Sequence, residues 1–112
     1  MMSIWKGKSY KDSEMTVISP LPCDQRLSLK SLNSDQPAML KFTNAMVQPV
    51  IIRWLNYDGE LDTHPYLINT ILPGSSMVIS TFVTHPFVVT DKAGNCLRIF
   101  KPNPEPSLAI IK

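Results

Sequence analysis

Ten prolines spread through this sequence limit it to short extended segments. Proline lacks the backbone N–H that a helix interior needs, and within sheets it is confined to edges, turns and bulges. No window shows a sustained helical period with capping residues. Instead, runs of β-branched and apolar residues recur about every ten residues, separated by turn signals. The pattern predicts an all-β sandwich or barrel.

The predicted strands are the apolar runs between those turn signals. They are Met15–Ile18 as a short edge strand, Leu27–Leu32, Ala38–Asn44, Pro49–Leu55, Ser76–Val83, Phe87–Thr90 and Cys96–Phe100. Apolar and polar residues alternate along Leu27–Leu32, and Leu40 and Phe42 share one face of the next strand, as half-buried strands require. The continuous apolar run at Pro49–Leu55 indicates a central strand. Residues 60–72 are expected to be irregular, and residues 108–111 to be either a final strand or a connection to something longer.

The pair Asp58–Gly59 follows the central apolar run directly. Asp-Gly between two extended segments predicts a tight hairpin, and the favoured two-residue turn needs positive φ at both central positions. We therefore expect the chain to reverse here with both residues in that conformation.

Charge and hydropathy narrow the class of protein. The formal net charge is +2 and no dense Lys/Arg cluster occurs, so binding to nucleic acid through phosphate contacts is not expected. Residues 1–8 lack the apolar run of a secretory signal, and no window has the length of a membrane span. We expect a cytoplasmic protein without a membrane partner. One domain, residues 27–112, follows a partly irregular N-terminal arm, residues 1–26.

Cys23 and Cys96 are the two cysteines of the chain. They are sufficient for one disulfide, but they lie in neither a metal-binding nor a redox spacing. With an intracellular location expected, we predict that both thiols are reduced.

Catalytic motifs are missing from the sequence. It contains no Gly-x-Ser-x-Gly, no phosphate-binding loop and no dinucleotide fingerprint, so we expect neither enzymatic activity nor a cofactor. His64 and His85 have no cysteine or carboxylate in ligand spacing, so no metal site is expected.

Several motifs, taken in order, resemble one known family over about residues 30–100. They are Ser31-x-Asn33-Ser34-x-x-Pro37, Phe42-x-Asn44, Trp54-Leu55-Asn56-Tyr57-Asp58-Gly59-Glu60, Pro73-Gly74 and Thr81-Phe82-x-x-His85-Pro86-Phe87. This order and spacing resemble the β domain of the von Hippel–Lindau tumour suppressor family. The resemblance implies an antiparallel β-sandwich of seven or eight strands. It also implies a surface groove that binds an extended peptide with a hydroxylated proline.

The resemblance also implies a ligand site. Trp54 and Phe87 fall on the positions that wall the hydroxyproline pocket in this family, and Thr81 and His85 fall on those that hydrogen-bond the ligand hydroxyl. A flat apolar slot suits a pyrrolidine ring, and a hydroxyl with an imidazole can satisfy the ligand oxygen. An unmodified proline leaves the polar pair without partners, which costs roughly 1–3 kcal/mol for each group.

Three further positions complete the implied groove. Asn33 matches a residue at its far end. A tyrosine that holds the peptide backbone falls on Tyr66 or, by ungapped counting, on His64; the hydroxyl favours Tyr66. The implied partner is therefore a prolyl-hydroxylated protein or peptide.

The sequence departs from the family in two respects. Basic residues that face an acidic partner segment in this family are replaced by Asp35, Met77 and Ser80, so a different hydroxylated peptide is expected. The helical domain that docks elongin C in this family does not follow residue 100, so no elongin C docking is expected from this chain.

Each site residue also has an ordinary structural role. Trp54 and Phe87 suit a core, Thr81 suits any strand, and a lone loop histidine such as His85 is usually solvated. These roles define an alternative hypothesis, a structural or assembly β-sandwich with a vestigial pocket.

Overall fold

Two facing β-sheets form the molecule, a computed structural model that describes residues 3–4, 10–62 and 68–112. The strands are β1 (Ser3–Ile4), β2 (Thr16–Val17), β3 (Pro37–Asn44), β4 (Val50–Trp54), β5 (Ile68–Ile71), β6 (Ser76–Phe82), β7 (Phe87–Thr90), β8 (Cys96–Phe100) and β9 (Ser107–Ile111). The first sheet has the order β1-β6-β3-β9-β2 and the second the order β5-β4-β7-β8. The predicted all-β sandwich is confirmed, with seven strands of four or more residues among the described part.

Alternating side chains build the space between the sheets. Along β4 every second residue is buried, from Val50 through Ile52 to Trp54, as the two-residue repeat of a strand requires. Leu40 and Phe42 of β3 are completely buried, as expected from their shared face. Phe42 meets Phe87 of the opposite sheet edge to face, with ring centroids 5.9 Å apart. These aromatic and branched side chains form the core between the sheets.

Strand β9 lies inside the first sheet, between β3 and the edge strand β2. β9 runs parallel to β3 on one side, where Leu40 pairs with Ser107, and parallel to β2 on the other, where Thr16 pairs with Ser107. Residues 108–111 are therefore a strand rather than a connection. The short edge strand expected near residue 16 is also confirmed, because β2 lies at the border of the sheet.

A strap, defined here as residues 21–33, covers the outer face of the second sheet. Leu55, Val88 and Ile99 point away from the main core and are buried in a second apolar cluster, to which the strap contributes Leu21 and Leu29. This layer explains why all four residues of β7 are buried, since the strand has apolar contacts on both faces.

A disulfide between Cys23 and Cys96 fastens the strap to β8, with Cα atoms 6.0 Å apart. The expectation of two reduced thiols was therefore wrong. Sequence spacing gave no reason to pair cysteines 73 residues apart; the strap brings them together by lying across the outer sheet.

The strand predicted at Leu27–Leu32 was also wrong. The chain forms a 3₁₀ helix at Cys23–Ser28 and then continues without regular structure. Leu27 is 94% exposed and Leu32 is 64% exposed, so the alternating leucines do not share a buried face. The backbone N–H groups of Leu32 and Asn33 bond to the Thr84 hydroxyl instead of to a neighbouring strand.

The strand β5 was missed, since residues 60–72 were expected to be irregular. Asn69 and Thr70 break the apolar pattern, and the strand forms because Ile71 and Thr70 pair with Val50 and Ile51 of β4. Pairing with a ready-made neighbour overrides weak local preference.

The Asp58–Gly59 turn exists, but its geometry differs from the expected one. Gly59 has φ +77° and no residue other than glycine has positive φ among those described. The Asn56 carbonyl accepts from the Gly59 N–H at 3.0 Å, and the Asn56 N–H donates to the Glu60 carbonyl at 2.9 Å. This is a type I turn closed by a glycine, which needs only one positive φ.

Candidate functional site

An aromatic stack joins the second sheet to the crossover between the sheets. Trp54 ends β4, and His85 lies in the connection from β6 to β7. Their ring centroids are 5.2 Å apart, with 31° between the ring planes. Phe82 approaches the imidazole from another side, also with centroids 5.2 Å apart. The imidazole therefore lies among aromatic rings at the end of the sandwich where the chain changes sheets.

The imidazole of His85 is completely buried, and two oxygen atoms from the described part of the chain lie within hydrogen-bond distance of its Nε2 atom. The Asn33 carbonyl oxygen is 3.0 Å away, and the Tyr57 hydroxyl oxygen is 3.1 Å away. Burial lowers the pKa of His85 from 6.5 to about 4, against the opposing effect of the Asn33 carbonyl, which favours the protonated ring. The ring is therefore neutral at pH 7, and Nε2 carries at most one proton to share between two oxygens.

Ser31 of the strap fixes the orientation of Trp54. The indole Nε1–H donates to the Ser31 hydroxyl at 2.8 Å, and that hydroxyl donates to the Leu55 carbonyl at 2.5 Å. The Ser31 N–H donates to the Asn56 carbonyl at 3.1 Å. Because its donor already has a buried partner, the indole offers a ligand only its ring surface.

Tyr57 covers the outer side of this stack. Its ring stands edge-on to Trp54 and to His85, with centroids 5.6 Å and 5.4 Å away. The Tyr57 hydroxyl also hydrogen-bonds the Ser34 hydroxyl. At 43% exposure, Tyr57 has one side in solvent. It is the surface layer over the buried imidazole.

Thr84 anchors the end of the strap beside His85. Its hydroxyl donates to the Asn33 carbonyl at 2.9 Å and accepts from the N–H groups of Leu32 and Asn33 at 3.2 and 3.1 Å. The Asn33 carbonyl is therefore satisfied by Thr84 even without His85.

A family model described as the VHL beta domain matches residues 29–100, which is more than half of the chain. This chain belongs to the VHL β domain family. The match confirms the resemblance drawn from the motifs, and it identifies the protein as a member of a family of protein–protein interaction modules rather than of catalysts.

Four positions implied by the VHL resemblance are all buried. Trp54 and Phe87 are cross-strand partners on β4 and β7, and both belong to the core between the sheets. Thr81 lies on β6 two residues from the core residue Ile79 and therefore faces the same interior. Their exposed fractions are 7% for Trp54, 3% for Thr81, 0% for His85 and 0% for Phe87.

The structure describes only one of the other three positions implied by the VHL resemblance, Asn33. The backbone carbonyl of Asn33 contacts His85, whereas its side chain is exposed and accepts from the Asp35 N–H at 3.2 Å. His64 and Tyr66 lie outside the described residues, so the choice between them stays a prediction.

Sequence reasoning assigned no role to three residues at this site, Ser31, Tyr57 and Thr84. All three stand in or beside the quoted VHL motifs. Their roles depend on distant partners, which the motif spacing does not reveal. Only Tyr57 had a signal in the sequence. It follows Trp54-Leu55-Asn56 directly and stands beside a turn, where an aromatic side chain can cover a neighbouring ring.

Two kinds of feature are absent from the described part of this VHL β domain. Residues 3–4, 10–62 and 68–112 contain no group of three or more His, Cys, Asp or Glu side chains suited to a metal ion. None of the helices in that part has the length and apolar character needed to cross a bilayer.

Proposed function

We propose that this chain is a non-catalytic peptide-binding module that recognises a hydroxyproline-containing partner in an extended conformation. The observation that carries the proposal is the neutral, buried imidazole of His85, whose Nε2 lies 3.1 Å from a hydroxyl oxygen beside the face of an indole. This pairing of a ring surface with a hydroxyl-binding nitrogen is the chemistry that a hydroxylated pyrrolidine requires.

Discrimination against plain proline comes from unsatisfied polar groups. When a partner's hydroxyl binds, its hydrogen bond to His85 Nε2 replaces the one that the Tyr57 hydroxyl makes. An unmodified proline ring has no hydroxyl, so this hydrogen bond is lost without replacement. Where Nε2 is the unprotonated nitrogen, the Asn33 carbonyl gives it no hydrogen bond, and leaving it unpaired costs roughly 1–3 kcal/mol, or about five- to 150-fold in affinity. Specificity of this kind needs a rigid reader, and the contacts of Asn33 and Trp54 hold His85 in position.

In this proposal Trp54 and His85 contact the ligand, and Phe87 supports Trp54 from the core. Thr81 and the exposed side chain of Asn33 remain proposed ligand contacts. Tyr66, or His64 in its place, is proposed to hold the peptide backbone. The peptide itself lies extended and uses main-chain hydrogen bonds for affinity.

The alternative function is a structural or assembly module with a vestigial pocket. One observation favours it specifically: the four pocket positions are all less than 10% exposed, with Phe87 packed edge to face on Phe42. On this hypothesis the stack of Trp54 and His85 is a polar corner of the core and carries no ligand.

Paired peptide libraries separate the two functions. One library carries proline at a fixed central position among randomised neighbours, and the other carries trans-4-hydroxyproline there. The proposal expects enrichment from the hydroxylated library alone, followed by at least fivefold tighter binding of each selected peptide than of its proline form. Equal affinity for both forms, or no binding by either, rejects the proposal.

His85→Gln tests the reader itself, with Asn103→Ala as a control at an exposed position of the 101–106 connection. The His85 variant is expected to lose the preference for the hydroxylated peptide while its circular dichroism spectrum is retained. A preference that survives in this variant excludes His85 as the reader.

The compartment of this function is a separate question. A cytoplasmic location was expected from the sequence, but the disulfide between Cys23 and Cys96 argues against it, because such bonds persist in oxidising compartments. We therefore place the proposed binding in an oxidising environment.

A further inference from the structure

Among the described residues, Tyr57 is a partly exposed side chain in direct contact with the buried imidazole of His85. Its hydroxyl oxygen contacts His85 Nε2 at 3.1 Å, and its ring edge faces both Trp54 and His85. A ligand hydroxyl that approaches the imidazole from the side of Tyr57 meets this phenol first. The position that the proposed function assigns to a partner's hydroxyl is thus filled by a hydroxyl of the chain itself.

The Tyr57 hydroxyl and the Asn33 carbonyl both contact the same nitrogen of His85, Nε2. If Nε2 carries the proton, it divides that proton between the Tyr57 oxygen and the Asn33 carbonyl; if it does not, it accepts from Tyr57 and gains nothing from Asn33. Neither arrangement gives both oxygens a full hydrogen bond. In the first arrangement the Tyr57 hydroxyl is held less firmly than a sole partner of Nε2 would be; in the second it donates a full hydrogen bond, and the Asn33 carbonyl is satisfied by Thr84.

The backbone beneath Tyr57 is fixed independently of its side chain. The Asn56 side-chain oxygen accepts from the N–H groups of Asp58 and Glu60 at 2.9 and 3.0 Å. The Arg26 guanidinium donates to the Gly59 carbonyl at 2.8 Å. Because the turn is held by these bonds, the Tyr57 ring can rotate about its side-chain torsions toward solvent without unfolding the turn.

We propose that Tyr57 is a gate over His85, whose hydroxyl occupies the position that a partner's hydroxyl takes when the ring swings outward. The identity of that partner rests on the proposed function, whereas the closure of the site by Tyr57 does not. The gate lowers the affinity for every ligand by the free energy of breaking the Tyr57 contacts, and it keeps the imidazole dry when no partner is bound.

The closure is tested without ligand by NMR titration of His85, whose resonance is the one lost in His85→Gln. Tyr57→Ala admits water to the ring and is expected to raise the pKa of His85 toward 6.5. Lys92→Ala is the matched control, because Lys92 occupies the equivalent position of the second glycine-closed turn, Asp91 to Asn95, and is exposed. An unchanged His85 titration in Tyr57→Ala overturns the gate, whatever any ligand does.

The proposal that the Tyr57 hydroxyl occupies the position of a partner's hydroxyl is tested with N-acetyl-trans-4-hydroxyproline-N-methylamide and its proline analogue. The affinity for each probe is measured by chemical-shift perturbation. Tyr57→Phe removes the hydroxyl and keeps the ring, so it is expected to bind the hydroxylated probe about fivefold more tightly than wild type; Tyr57→Ala is expected to gain about tenfold. Binding that is detectable only in the variants supports the gate equally. Weaker binding by both variants overturns it, because Tyr57 is then part of the binding surface.

The two proposals fail in different ways. If Tyr57→Ala exposes His85 but no variant prefers the hydroxylated probe, the closure is supported and hydroxyproline recognition is rejected. If Tyr57→Ala does not fold, Tyr57→Phe and Ser34→Ala retain the ring and decide the question, since the first removes both hydrogen bonds of the phenol and the second removes only the one to Ser34.

Discussion

The imidazole of His85 stacks on the indole of Trp54 at 5.2 Å, although one belongs to the crossover between sheets and the other to a central strand. The strap completes the arrangement, because Ser31 bonds the indole and the Asn33 carbonyl faces the imidazole. The candidate site is therefore made where three separate segments of the chain meet. Its residues stabilise the fold as well as forming the proposed reader, so changes at the site affect stability and binding together.

Acidification is expected to destabilise the protein through His85. Its pKa is lowered by burial from 6.5 in the unfolded chain to about 4 in the folded one, so the unfolded state binds more protons between these values. The associated stability is complete above pH 6.5, falls as the pH is lowered from 6.5 to 4, and is fully lost below 4, by about 3 kcal/mol in total. Urea denaturation of wild type and His85→Gln from pH 7 to 4 measures it, since glutamine does not titrate. Identical pH dependence in the two proteins contradicts the prediction.

Replacing Ser31 by alanine is expected to cost about 2–3 kcal/mol of stability. The change leaves the buried Trp54 Nε1–H and the Leu55 carbonyl without the partner that now serves both. Ser28→Ala is the control, because Ser28 is exposed and bonds only the Gln25 carbonyl, at 2.9 Å. Urea unfolding followed by circular dichroism compares the two. Equal small losses in both variants mean that Ser31 is not a central tie between strap and sheet.

Gly59→Ala is expected to destabilise the protein more than Gly94→Ala. Both glycines have positive φ, +77° and +88°, and alanine there costs roughly 1–2 kcal/mol. At Gly59 an added Cβ also lies 3.2 Å from the Leu29 carbonyl oxygen and 3.6 Å from the Lys30 Cβ, whereas Gly94 has nothing within 4 Å. The difference between the two variants in thermal unfolding isolates the close approach of the strap. No difference means that the strap moves away easily.

Loss of the disulfide is expected to cost about 2–4 kcal/mol, since the bond closes a long loop in the unfolded chain. The double variant Cys23→Ala, Cys96→Ala should unfold at lower urea concentration than oxidised wild type, and a reductant should shift wild type but leave the variant unchanged. Thiol titration of the unfolded, unreduced protein is expected to detect no free thiol. Two free thiols in protein recovered from its natural compartment argue against the bond.

The sandwich was predictable from the sequence because its signal is local. The β3 and β4 runs alternate or accumulate apolar residues, and a short segment that ends in Pro49 separates them. The 3₁₀ helix at Cys23–Ser28 and strand β5 were not predictable in this way. Both depend on long-range partners, a disulfide to β8 in the first case and pairing with β4 in the second.

At the site, motif order predicted that Trp54 and His85 belong together, and the structure brings their rings into contact. It did not predict Tyr57 above them, because a motif lists residues without saying which one covers another. Nor did it predict that Phe87 is completely buried. The burial of an apolar strand residue depends on the sheet that packs against it, and here that sheet contributes Phe42. The identity of a residue decides which interactions it can make with a ligand, whereas the second sheet and the strap decide whether that residue is buried.

Because β9 lies between β3 and β2, the first sheet cannot be completed early during synthesis on the ribosome. β3 and β2 emerge early, yet they are joined only through β9, whose residues follow β3 by some sixty positions. Until Ser107–Ile111 leaves the exit tunnel, the edge of β3 that will pair with β9 has no hydrogen-bonding neighbour, which is the condition that favours intermolecular pairing. Co-translational chaperone contact is therefore expected to peak in that interval and to end when the last strand inserts.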